Sequence, residues 1–111
     1  MLEKLERLKL EFQNQLSARI SKIDSLLKHS AGDDPQSKAD CVELHRELHK
    51  LAGAAQMYGL VDIGESAREF EHKVAEVMGE HDHMDVDFYN SLKAASGELR
   101  SKIERLGVEG A

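Results

Sequence analysis

The chain has 111 residues, 15 Lys and Arg against 21 Asp and Glu, a net charge of −6 and a single cysteine. That length sets one domain as the expectation, 1–111, and the lone Cys41, read as a half-buried small residue, excludes an internal disulfide. Interspersed acidic and basic residues argue against nucleic acid and against an anionic membrane surface, and no apolar run approaches the 18 or more residues of a spanning helix.

The composition favours helix: Trp is absent, Pro35 is the single proline, and Leu, Ala, Glu and Lys dominate. A first helix is predicted over about 2–28, with Leu5, Leu8, Phe12, Leu16, Ile20, Ile23 and Leu27 recurring at steps of three and four. Ala31-Gly32-Asp33-Asp34-Pro35 breaks it. A second helix is expected from about Ser37 to Tyr58, with the stripe Leu44, Leu48, Leu51, Ala55 and Tyr58 and Gly59 as its terminating glycine. A third is expected from about Asp62 to Met78, opened by a capping box, Asp62-Ile63-Gly64-Glu65. Its stripe is Leu60, Ile63, Ala67, Phe70, Val74 and Val77. Gly79 to His83 reads as a polar loop. A fourth helix from about Asp85 to Leu106 carries Phe88, Leu92, Ala95, Leu99, Ile103 and Leu106, and the tail 107–111 is expected to fray.

Each helix is apolar on one side and the connections are short. The fold class that buries all four stripes is all-α, an antiparallel up-down-up-down four-helix bundle. Met1-Leu2-Glu3-Lys4 lacks the basic-then-apolar pattern of a signal peptide, so a cytoplasmic protein is expected, and the start at Met1 suggests a free-standing one.

The chemistry concentrates on the second helix. At about 100° per residue from Leu44, the other stripe residues fall within about 40°. His49 falls at about 140°, Gln56 at about 120°, His45 at about 100° and Ala52 at about 80°. His45, His49 and Gln56 therefore edge the core seam without entering it. Ala52 and Gly53 keep the surroundings of His49 low. A glycine inside a helix costs about 1 kcal/mol against alanine; close approach of another surface is one compensation, and helix packing is another. Val42 and Leu10 point away from their own stripes.

His49-x-Leu51-x-Gly53, followed by Gly59-x-x-x-Ile63-x-x-x-Ala67-x-x-Phe70-Glu71, resembles the histidine-containing phosphotransfer (HPt) domain of bacterial two-component relays. The family pattern is His-x-Leu-x-Gly, a spacer, then Gly-x-x-x-Leu-x-x-x-Ala-x-x-Leu-Glu. The resemblance runs from His49 to Glu71 and implies that His49 accepts a phosphoryl group and exchanges it with an aspartate on a receiver domain. It also implies a sensor or hybrid histidine kinase as the other partner, and Mg²⁺ supplied by the receiver, with no cofactor or metal bound by this chain. Many members carry lysine three residues after the histidine; here that position is Ala52.

Three residues could support the phosphoryl charge instead: Gln56 two turns on, His45 one turn back, and Arg68, which a hairpin turning at Gly59 brings roughly opposite His49. Lys50 points about 100° away from His49 and fits less well. The chain has no Gly-rich phosphate loop or Walker pattern, which favours a carrier over an ATP-using kinase. A monomer is expected. The rival readings are a metal-binding bundle using His45-x-x-x-His49 or the His81-Asp82-His83 loop, and a non-catalytic helical adaptor paired through the first helix.

Overall fold

Four helices are present: α1 (Leu2–His29), α2 (Pro35–Met57), α3 (Val61–Glu80) and α4 (Val86–Glu109). The computed structural model describes residues 2–32, 34–80 and 85–109. Lys28 places a cationic side chain in the last turn of α1, where the helix dipole favours it. The Ser30 hydroxyl then donates to the Leu27 carbonyl at 2.8 Å. Asp34 caps α2: its side chain accepts from the Ser37 N–H at 2.8 Å, while Pro35 fills the first helical position, where no N–H is needed. That backbone hydrogen bond holds the Asp34 carboxyl below its ordinary pKa. Asp85 caps α4 in the same way, accepting from the Phe88 N–H at 2.8 Å.

The turn between α2 and α3 sets how these two helices align. Gly59 has φ +77°, a conformation that costs a residue with a Cβ about 1–2 kcal/mol. Its N–H donates to the Gln56 carbonyl at 3.1 Å, and the Leu60 N–H donates to the Ala55 carbonyl at 2.8 Å. This pair of bonds is a Schellman motif, which satisfies the last carbonyls of α2 and reverses the chain.

Several boundaries differ from the sequence expectation: α2 begins at Pro35, two residues before Ser37, and α3 runs to Glu80, so 79 and 80 are helical where a polar loop was expected. The α3 helix begins at Val61, with Leu60 supplying the first carbonyl to the Gly64 N–H at 3.0 Å. Asp62 therefore lies inside the first turn, complementing the helix dipole, and the capping box does not form. The α4 helix continues to Glu109, so 107–109 are helical where fraying was expected; one glycine weakens a helix without stopping it. Residues 110–111 and the His81-Asp82-His83 loop lie outside the described residues.

Each helix packs on two others in a ring, α1 on α2 and α4, and α3 on α2 and α4, with neither diagonal pair in contact among the described residues. This is the up-down-up-down bundle. Leu16, Ile20 and Ile23 of α1, Leu44, Leu48 and Leu51 of α2, Phe70 and Val74 of α3, and Leu92 and Leu99 of α4 are its fully buried centre. Cys41 is buried with them rather than half-buried.

Leu5 and Leu8, expected in the core, are exposed. The cause is length: Phe12 stacks on Tyr58, the residue that ends α2, with ring centroids 5.2 Å apart, so the turns of α1 before Phe12 run past the end of α2. Among the described residues no helix is long and apolar enough to cross a membrane.

Candidate functional site

The α2–α3 pair is built from small residues at its contact: Ala52 and Ala55 on α2, Gly64 and Ala67 on α3, all buried. A methyl group at Gly64 would lie 3.5 Å from the Ala52 carbonyl oxygen, 3.6 Å from the Ala55 Cβ and 3.1 Å from the Gln56 Cγ. The missing side chain thus lets the two backbones close together beside the Schellman turn. That closeness brings polar side chains from the two helices into reach along one edge of the bundle.

His49 stands on this edge with 75% of its side chain exposed. Its Nδ1 is 2.9 Å from Oε2 of Glu71 on α3, a side chain only 12% exposed. His45, one turn earlier on α2, brings its Nε2 to 3.5 Å from the same Glu71 oxygen. A carboxylate only accepts hydrogen bonds, so it favours the tautomer with the proton on Nδ1 of His49. The lone pair then resides on Nε2, which has no hydrogen-bond partner among the described residues. The arrangement is an oriented, accessible nitrogen nucleophile.

Towards the turn, the Arg68 guanidinium donates to the Gln56 side-chain oxygen at 3.1 Å. Arg68 pairs with no carboxylate among the described residues, although Glu65, Glu69 and Glu71 are near it on α3. The structure thus joins two of the residues singled out from sequence, Gln56 and Arg68, to each other. It joins the other two, His45 and His49, through Glu71.

Glu71 is the residue that sequence reasoning passed over. It closes the motif without an assigned role, yet it lies 11 residues beyond Leu60 while His49 lies 10 before Gly59. The hairpin count that pointed to Arg68 would have found it.

Ala52 needs correction. It is 1% exposed and faces α3, so it does not lower the surface around the imidazole; it admits α3 instead. At about 80° from the stripe centre a residue still turns towards a close neighbour. Gly53 is exposed and a methyl there would meet nothing within 4 Å. Packing among the described residues therefore gives no reason for a glycine at that position.

Lys50 turns towards Glu47, 4.0 Å away, on the side where Lys22 of α1 also reaches Glu47 at 3.2 Å. Val42 is exposed and shares the His49 face, seven residues or about two turns away. Leu10 does not join it: Leu10 lines a groove between α1 and α4 with Ile103 and Leu106, across the bundle from the α2–α3 edge. Among the described residues, no group of three or more His, Cys, Asp or Glu side chains is arranged to hold a metal ion.

No curated protein and no solved structure matches the chain. A family model does: the one described as Hpt domain matches residues 7–108, which take in the His49 edge and parts of all four helices, and the chain therefore belongs to the Hpt domain family.

Proposed function

We propose that His49 is the phosphoryl carrier of this domain and exchanges its phosphoryl group with a receiver-domain aspartate. Hpt domains are histidine phosphotransfer modules of two-component phosphorelays, carriers rather than kinases. The observation that carries the assignment is the pairing of an exposed imidazole with a mostly buried carboxylate at 2.9 Å, which leaves Nε2 free.

In the forward step Nε2 attacks the phosphorus of the aspartyl phosphate. The P–O bond breaks, its electron pair returns to the aspartate carboxylate, and an Nε2–P bond forms. The ring retains its Nδ1 proton and becomes a phosphorylated imidazolium, whose positive charge lies against Glu71. In reverse, a carboxylate oxygen of the receiver aspartate attacks the phosphorus; a P–O bond forms as the P–N bond breaks, its electrons return to Nε2, and the neutral ring is recovered. Glu71 serves both directions by orienting the ring and stabilising the charge that develops on it, the role of the third member in a nucleophile–base–orienter set. His45 shares the Glu71 oxygen, which fits a supporting role through Glu71 better than direct contact with the phosphoryl group.

Transfer of this type depends on positioning and charge stabilisation. Gly53 and Val42 border the surface a receiver would cover, and the gap in side chains at Gly53 admits close approach. Mg²⁺ falls to the receiver in this reading. A hard cation requires several oxygen ligands, and among the described residues the carboxylate paired with His49 is that of Glu71, which already faces two imidazoles. The sensor or hybrid kinase is the second partner, and the domain acts as a cytoplasmic monomer.

The test is incubation with a panel of phosphorylated receiver domains. Acid-labile, alkali-stable label is expected on the wild type and absent from His49→Gln. Glu71→Gln retains a hydrogen-bond partner but loses the charge, and is expected to slow transfer about tenfold, equivalent to about 1.4 kcal/mol of transition-state stabilisation. Label persisting on His49→Gln would remove His49 as the acceptor.

A further inference from the structure

The contact between Arg68 and Gln56 has an unusual electrostatic form. A guanidinium with three glutamates on its own helix within four residues is held by a neutral amide oxygen on the neighbouring helix. Gln56 packs over the bare backbone of Gly64, its Cγ 3.1 Å from where a methyl group would stand, so an added methyl would press on it.

The levels along the hairpin are equally informative. Arg68 lies eight residues beyond Leu60, His49 ten before Gly59 and Gln56 three before it. At a rise of about 1.5 Å per residue, the Arg68 backbone is about 3 Å from the level of His49 and about 7.5 Å from that of Gln56. Helical side chains lean towards the helix N-terminus, which for α3 is the turn, and so the Arg68 arm slants away from the nearer His49 to the more distant Gln56.

We propose that Arg68 is a phosphate-binding arm that Gln56 holds in reserve; the inference rests on His49 being the phosphoryl acceptor. When His49 carries a phosphoryl group, the guanidinium exchanges the amide oxygen for the phosphoryl oxygens and supplies the cation that a lysine at position 52 would provide in other members. The exchange is favourable because a two-pronged contact between opposite charges replaces a single hydrogen bond from the guanidinium to an uncharged amide oxygen. A neutral acceptor is suited to this task. It keeps the arm extended over the α2 edge without competing with a dianion as a carboxylate would. No covalent bond or proton is involved, and the His49 ring stays bound to Glu71 throughout.

The experiment uses the whole chain phosphorylated by a small-molecule phosphoramidate donor and follows the ³¹P resonance of phosphohistidine through a pH titration. A guanidinium on the phosphoryl oxygens favours the dianion. The midpoint for Arg68→Gln is therefore expected to lie higher than wild type by about one pH unit, with Arg68→Lys between them. Gln56→Leu frees the arm and is expected to titrate like wild type or lower. Gln56→Glu traps the guanidinium in an ion pair and is expected to titrate like Arg68→Gln. Identical midpoints for wild type and Arg68→Gln, with the phosphohistidine signal present, would overturn the arm and leave the carrier assignment standing. A wild-type midpoint for Gln56→Glu would overturn the reserve role of Gln56. Absence of any phosphohistidine signal on the wild type would overturn the carrier assignment and the arm with it.

Discussion

At the scale of single residues, Gly53 is the sharpest case of sequence chemistry at odds with the isolated fold. It sits inside α2, exposed, with open space where its side chain would be. Helix propensity alone makes alanine better there by about 1 kcal/mol. For a domain of this size that corresponds to a rise in Tm of about 4 °C. Gly53→Ala is therefore expected to melt higher than wild type and to transfer phosphoryl groups more slowly, since the added methyl faces the docking partner. Thermal melting and transfer kinetics on one preparation check both halves, and a variant that gains stability without losing rate would remove docking as the reason for the glycine.

Ser66 is a second residue with a cost, its hydroxyl buried on α3 and unpartnered among the described residues; nothing in the structure explains it. Cys41 needs no special role: burial pushes its thiol pKa up, which makes it a poor nucleophile.

At the scale of elements, the α2–α3 hairpin carries the candidate site. Its register follows from one left-handed glycine and two backbone hydrogen bonds, and that register is what sets Glu71 opposite His49. Gly59→Ala forces a Cβ into the left-handed region and is expected to destabilise the domain by about 1–2 kcal/mol. Because the turn carries the register, the loss should extend beyond stability. The nitrogen resonances of the His49 ring should lose the signature of a hydrogen-bonded Nδ1 at temperatures where the variant remains helical. A ring signature identical to wild type would show that the hairpin packing holds the register without the turn.

At the scale of the molecule, polar ties supplement the apolar centre where helices distant in sequence meet. Asp24 of α1 receives hydrogen bonds from Ser96 and Arg100 of α4 and closes the first helix onto the last. Lys22 of α1 reaches Glu47 of α2. Burial pulls the Glu47 carboxyl upward, but the hydrogen bond and charge of Lys22, with the charge of Lys50, outweigh it and hold the pKa below the ordinary value of 4.5.

A carboxyl depressed in the folded state stabilises it above its unfolded pKa, and the contribution disappears as the pH falls through the folded pKa. The difference in urea midpoint between wild type and Glu47→Gln is therefore expected to be present at neutral pH and to vanish on acidification well below pH 4.5. A difference independent of pH would mean that the charge of Glu47 contributes nothing.

By itself the sequence determined four helices, their apolar faces, the bundle that buries those faces and the outward position of His49. Each of these follows from helical phase, which is local: a residue's angle from the stripe is set by counting, whatever the rest of the chain does. Exceptions arose where local phase did not decide the outcome. Leu5 and Leu8 lie in phase but beyond the end of the helix they would pack against, and Ala52 lies off the stripe yet is covered because α3 comes so close. Only the tertiary structure decided which polar groups meet across the helices, Glu71 with His49 and His45, and Arg68 with Gln56 rather than with a glutamate of its own helix. Those pairings depend on the register and separation of α2 and α3, which the Gly59 turn and the gap at Gly64 fix together and which no periodicity within a single helix encodes.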